Sequence, residues 1–275
     1  MKSGNPILLA MAALLVLSAC GSKKEEDKEK PPESVQKLYN EAMDQLQEHD
    51  YKEAIKTFEE LERQHSYSPW ALRAEIMASY AAYRSQQYDS AITDLDRFVK
   101  QHPDNAETPY AFYLKAMCFY VQITDVGRDQ SVTADAQQAL TEVVKRFPDS
   151  EYARDARIKL DLVKDHLAGK EMEIGRYYEQ HQEYLAAINR FRIVVEKYQT
   201  TSHTPEALHR LVECYLKLGV KDQANRYAAV LGYNYPGSAW YKDSYAVMSD
   251  KPLPHEAEGK GLVDKILHLP FSGSE

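Results

Sequence analysis

YLAAINRF at residues 184–191 is nearly spelled twice more in the chain, as YKEAIKTF at 51–58 and YDSAITDL at 88–95. Aligned on the alanine, the fixed points are Tyr51, Ala54, Ile55 and Phe58, then Tyr88, Ala91, Ile92 and Leu95, then Tyr184, Ala187, Ile188 and Phe191. Offsets of three, four and seven place all four side chains on one face of a helix. The apolar stripe continues through Leu61, Phe98, and Val194 with Val195. Each phrase therefore predicts a helix of about four turns with one buried side.

Two weaker copies complete a series. Thr133, Ala136, Gln137, Leu140 and Val143 form one, and Lys221, Ala224, Asn225, Ala228 and Leu231 the other. Ala91 to Pro103, Ala136 to Pro148 and Ala224 to Pro236 each span 12 residues. A proline there cannot continue the helix, so it fixes the helix length. The copies begin at 51, 88, 133, 184 and 221. A first helix precedes each copy, with a small or apolar residue 12 positions before the alanine: Ala42, Gly175 and Val212. Leu208-xx-Leu211-Val212-xx-Tyr215, followed by the alanine phrase and proline, resembles the tetratricopeptide pattern. That resemblance covers residues 33–249, with a polar insertion at 121–132 in the third repeat. Residues 151–181 keep a helical pattern interrupted only by Gly169, and predict one long helix or two nearly collinear ones, about 45 Å long. The expected fold is all-α: an α-solenoid of five helix pairs, in two blocks (33–150 and 151–249) joined by that long helix.

The termini read differently. Residues 6–19, PILLAMAALLVLSA, are too short to span a bilayer, which takes roughly 20 residues, and read as a signal peptide over 1–19. Leu17-Ser18-Ala19-Cys20-Gly21 resembles a bacterial lipobox, in which Cys20 receives a covalent lipid. Gly21 is similar to the second residue of lipoproteins sent to the outer membrane. Residues 20–32 then form a lipidated tether, because GSKKEEDKEKPP holds no large apolar side chain to offset the entropy of ordering. Cys118 and Cys214 lie in separate helical segments. An oxidising compartment would allow a disulfide, but two separate buried thiols are the favoured reading. Residues 250–275 read as an irregular tail, with a short docking helix at 262–269.

A net charge of −8 without a long Lys/Arg run argues against nucleic acid, whose phosphates demand basic surface. Neither GxxxxGK[ST] nor GxGxxG, HExxH nor CxxC occurs, so no enzyme, cofactor or metal is expected. His203 and His209 are six apart and do not share a helix face. What a solenoid offers is a concave surface lined by its first helices. Those helices are rich in aromatic residues: YAFYLKAMCFY at 110–120, and Trp70, Met77, Tyr80 and Tyr83 before it. Most must be core. A minority, Tyr80, Tyr113 and Tyr120 with Met77 and Met117, are expected to face a groove for an extended or hairpin peptide, since tyrosine offers rigid contact area and a polar tip. Arg73, Arg84 and Lys115 lie on the same helices, suited to a carboxylate or peptide backbone.

Together, Leu17–Cys20, PWALRAEIMASYAAYRSQQYDSAITDLDRFVKQHP at 69–103, FPDSEYARDARIKLDLVKDHLAGKEMEIGRYY at 147–178 and YLAAINRFRIVVEKYQTTSHTPEAL at 184–208 resemble the BamD family. These are tetratricopeptide lipoproteins of the outer-membrane β-barrel assembly machinery, and the 178–248 region is similar to their α-proteobacterial form. The resemblance implies a non-enzymatic scaffold anchored to the outer membrane by lipid at its periplasmic face. It implies as partners the barrel-forming subunit, accessory lipoproteins and unfolded outer-membrane proteins, with substrate on the N-terminal repeats and partner subunits on the C-terminal ones. Arg190, Arg192, His209, Arg210 and Glu213 are the expected docking residues. A second reading, a periplasmic repeat lipoprotein that coordinates cell-wall synthesis or division, predicts binding to peptidoglycan enzymes instead.

Overall fold

The computed structural model describes residues 33–249, which fold into eleven helices and no strand. The expected signal peptide, Cys20 with its tether, and the 262–269 docking helix lie outside the described residues. Five helix pairs follow one another: α1 (Val35–Gln47) with α2 (Tyr51–Gln64), α3 (Pro69–Arg84) with α4 (Tyr88–Gln101), α5 (Thr108–Tyr120) with α6 (Ser131–Arg146), α7 (Glu151–Gln180) with α8 (Tyr184–Lys197), and α9 (Thr204–Lys217) with α10 (Lys221–Asn234). A further helix, α11 (Ala239–Ser249), ends the stack. Each helix packs on its sequence neighbours, and the odd-numbered helices also touch along the stack. This is the tetratricopeptide arrangement.

The repeated phrase is the reason for the pairing. Ala54, Phe58, Ala91, Leu95, Ala187 and Phe191 are all fully buried, as are Ala136, Leu140, Ala224 and Leu231 of the weaker copies. Burying one such Phe or Leu is worth about 1.5–3 kcal/mol. Close approach of the paired helices needs a small partner. A Cβ on Gly175 of α7 would stand 2.4 Å from Phe191 Cε1 of α8, so only glycine fits there. The even helices α4, α6 and α10 stop at Gln101, Arg146 and Asn234, two residues before Pro103, Pro148 and Pro236.

Four of the five pairs share one turn. His49, Gln86, Gln182 and Gly219 adopt positive φ of 65°, 64°, 64° and 76°. The next residue's N–H then donates back to the helix, as in Asp50 N to Gln45 O and Glu183 N to Tyr178 O, both 2.9 Å. This Schellman closure satisfies carbonyls the helix end would orphan. The third pair lacks it, because the insertion at 121–130 stands there. That loop lies against the middle of α7: Lys170 Nζ donates to Gly127 O at 3.1 Å, and Val126 packs at Gly169.

α7 runs unbroken for 30 residues through Gly169. Ala156, Leu160, Val163 and Leu167 belong to the core of the α5–α6 side, while Ala168 and Met172 belong to the core with α8 and α9. Tyr198 packs against both. Cys118 and Cys214 are buried free thiols. Burial pushes Cys118 up to about 12, so it stays an unreactive thiol.

Candidate functional site

The groove residues divide by helix face. Arg73, Met77, Tyr80 and Arg84 recur at offsets of four, three and four on α3, and Tyr113, Met117 and Tyr120 at four and three on α5, so each set shares one side of its helix. Exposed Arg84 is the most organised of them. Its Nη1 donates to Tyr80 Oη at 2.9 Å and its Nη2 to Tyr51 Oη at 3.1 Å. Its guanidinium carbon also lies 5.5 Å from the Tyr51 ring centroid and 5.7 Å from that of Tyr80. The rings hold the arginine by cation–π attraction and hydrogen bonds, leaving donors for an incoming anion.

From there tyrosines run across helices. Tyr80, Tyr83 and Tyr88 lie in succession at centroid spacings of 6.3 and 6.0 Å. Tyr110 and Tyr113 both meet Tyr152 of α7, at 5.4 and 5.5 Å. Tyr113 donates to the Asp155 carboxylate, and Asp155 also pairs with Lys159 at 2.7 Å. Burial pushes the Asp155 carboxyl up, but its bonds to Lys159 and Tyr113 outweigh that and hold it below the usual range. Lys159 in turn lies 5.7 Å from the Tyr120 centroid. Tyr113 and Tyr120 are thus tied to α7. Met77 is half-buried against the first core, and Arg73 is exposed. Lys115 departs from the expected set. It points away from the Tyr113 face and pairs with Asp96 of α4 at 2.5 Å.

The docking residues do not form one surface. Arg190 pairs with Glu171 across α7 and α8 at 3.2 Å, whereas Arg192 bonds Glu196 on the exposed side of α8. His209 corrects its expected role: it is buried, with Nδ1 2.8 Å from Ser244 Oγ and its ring 5.4 Å from that of Trp240, under α11. Burial depresses its basicity, against the pull of Glu213 at 3.3 Å.

Arg210 and Glu213 belong to a network that the sequence does not announce. Arg176 of α7 grips Glu206 of α9 through two bonds, Nε–Oε1 at 2.8 Å and Nη2–Oε2 at 2.7 Å. Arg210 reaches Glu213 at 3.0 Å, Glu179 at 3.5 Å and Glu206 at 3.6 Å. The Cys214 thiol donates to Glu179 at 3.7 Å. Burial pushes the Glu179 carboxyl up and also acts on Glu206, where Arg176 overrides it and lowers the net value. Arg176, Glu179, Arg210 and Glu213, with Tyr184 and Lys217, line a cleft of about 290 Å³. The available signal was spacing: Glu206, Arg210 and Glu213 share a face of α9, as do Arg176 and Glu179 on α7. Among the described residues, no three His, Cys, Asp or Glu side chains converge to hold a metal ion.

A stack of helix pairs with a tyrosine–arginine face on its first helices and a charged cleft on its last is a repeat scaffold, of the kind that grips other chains. The outer membrane lipoprotein family YfiO matches residues 31–231, and this chain belongs to it. A Caulobacter vibrioides protein called outer membrane protein assembly factor BamD is 48% identical over 91% of this chain and 83% of its own. The Rickettsia prowazekii protein of that name is 44% identical over 86% and 93%, and one from Neisseria meningitidis 34% over 86% and 96%. The higher identity to the first two agrees with the α-proteobacterial form. None of these names favours the cell-wall reading.

Proposed function

We propose that the chain is a non-enzymatic scaffold that helps assemble β-barrel proteins into the outer membrane. The names and extensive coverage of its relatives support this reading. Cys20 carries the lipid, and the charged tether lets the repeats stand off the periplasmic face of the membrane by up to roughly 40 Å. The repeats before α7 take an extended segment of an unfolded barrel protein, and the α7–α10 end docks the barrel-forming subunit and accessory lipoproteins. Arg190 and the Arg210–Glu213 cleft are the docking features on that end.

The observation that carries the reading is Arg84 held between Tyr51 and Tyr80. Its exposed donors suit a peptide carboxylate, and the adjoining tyrosines give apolar side chains something flat to lie on. The test is depletion of the protein, followed by trypsin resistance of newly made outer-membrane barrels. Loss of folded barrels is expected, and normal assembly would refute the reading. A photoreactive residue at Tyr80 should crosslink unfolded barrel protein. Adducts confined to a control at the exposed Tyr67 would refute the groove.

A further inference from the structure

α11 departs from a pattern the earlier helices keep. Each earlier odd-numbered helix is covered by the helix that follows it, but among the described residues nothing follows α11. It rests on α9 through His209 against Trp240 and Ser244, and on α10 where Tyr241 meets Gly232. Its sequence is that of a first helix. Trp240, Ser244 and Val247 repeat the offsets of Leu208, Val212 and Tyr215 in α9. In α9, Tyr215 stacks on Tyr227 of the covering α10, with centroids 5.6 Å apart and planes 11° apart. Its counterpart Val247 is 46% exposed, beside Tyr245 at 39% and Met248 at 37%. A solenoid needs a polar outer end, and this one presents an apolar turn. Exposed Asp243 stands where α9 has buried Leu211, so the missing cover belongs over the last turn alone.

We propose that residues 262–271 of this same chain cover the last turn of α11. LVDKILHLPF carries Leu262, Val263, Ile266, Leu267, Leu269 and Phe271, an apolar run suited to an apolar turn. Lys265 in that run carries the charge opposite to that of exposed Asp243. The intervening segment 250–261 is mostly polar and holds Pro252, Pro254, Gly259 and Gly261. Those 12 residues reach about 40 Å, whereas the 11 residues of α11 span only about 16 Å. The segment therefore reaches the turn without strain. Its tether also sets an effective concentration in the millimolar range, above that of a separate partner.

The inference does not rest on the proposed function, and its test needs no assembly assay. p-Benzoylphenylalanine is placed at Met248 in the full chain, irradiated, and the adducts are mapped by mass spectrometry. Adducts to residues 262–271 within one molecule are expected, with none from the same probe at Tyr67. Adducts only to a second copy, another protein or lipid, or no adduct at all, would overturn the proposal. Independently, Ile266→Glu combined with Leu267→Glu should speed amide exchange at 245–249 at least tenfold and leave α1 and α2 unchanged. Unaltered exchange at 245–249 would overturn it too.

Discussion

Two glycines six residues apart in α7 should respond to alanine with opposite signs. At Gly175 the new Cβ would sit 2.4, 2.7 and 2.9 Å from three atoms of the Phe191 ring, where ordinary contact begins near 3.4 Å. The ring must retreat by about 1 Å, yet Phe191 is 0% exposed and packed on every side. Overpacking of this kind costs about 1–3 kcal/mol, and a rigid buried ring belongs at the upper end. Helix propensity returns about 1 kcal/mol, so Gly175→Ala should lose about 2 kcal/mol. At Gly169 the nearest atom is His203 Nε2 at 3.2 Å, on a partly exposed side chain able to yield, and Val126 Cγ1 lies at 3.8 Å. Propensity dominates there, and Gly169→Ala should gain about 0.5–1 kcal/mol. Urea unfolding followed by far-UV circular dichroism reads both. A Gly175→Ala protein as stable as the parent would refute the close-approach account of the α7–α8 pair. Adding Phe191→Leu should recover part of the loss, a coupling of about 1 kcal/mol in the double-mutant cycle.

Gly219→Ala should cost about 1 kcal/mol in the same assay, purely from its φ of 76°, since a Cβ there meets nothing within 4 Å. His209 should make stability pH-dependent. Its folded basicity lies below the ordinary value near 6.5, so the unfolded chain takes up its proton first. The stability is therefore present above about pH 6.5 and lost as pH falls toward the folded value. His209→Gln should flatten the fall in unfolding free energy between about pH 7 and pH 5, and an unchanged slope would argue against it. Arg84→Ala should weaken binding of an unfolded barrel segment about tenfold by fluorescence anisotropy, while exposure of Arg84 keeps the stability change within about 0.5 kcal/mol. Glu206→Ala strands the Arg176 guanidinium, which is 38% exposed and so partly solvated, and should cost about 1–2 kcal/mol in urea unfolding.

What the sequence made legible was local. The alanine phrase, its proline stop and the small residue 12 positions earlier are each set within one helix pair, where spacing alone determines which side chains meet. The charged network escaped notice because Arg176 and Glu206 are 30 residues apart and meet only once α7 and α9 lie side by side. Arg210 and Glu213 could be singled out, but not that Glu179 and Glu206 occupy them. His209 looked like a surface cation because the helix that buries it follows Pro236-Gly237 and has no alanine phrase after it. Lys115 sits two residues from Tyr113, so the helix turns it toward Asp96 and away from the tyrosines.

The long helix ties these parts together. Leu167 and Ala168 are adjacent in α7 yet belong to different cores, so no linker separates the two ends of the solenoid. The glycine where the two cores meet, Gly169, is buried between His203 and Val126 and braced by Lys170 on Gly127. Bending α7 there would open both contacts. α7 is therefore built as a strut, holding the tyrosines at its Tyr152–Lys159 end and the charged cleft at its Arg176–Glu179 end about 33 Å apart along its axis. Gly169→Ala tests that as well as the packing. A more stable chain that still supports barrel assembly at the parental rate fits a strut. A more stable chain that assembles barrels poorly would show that α7 must bend at Gly169 to work.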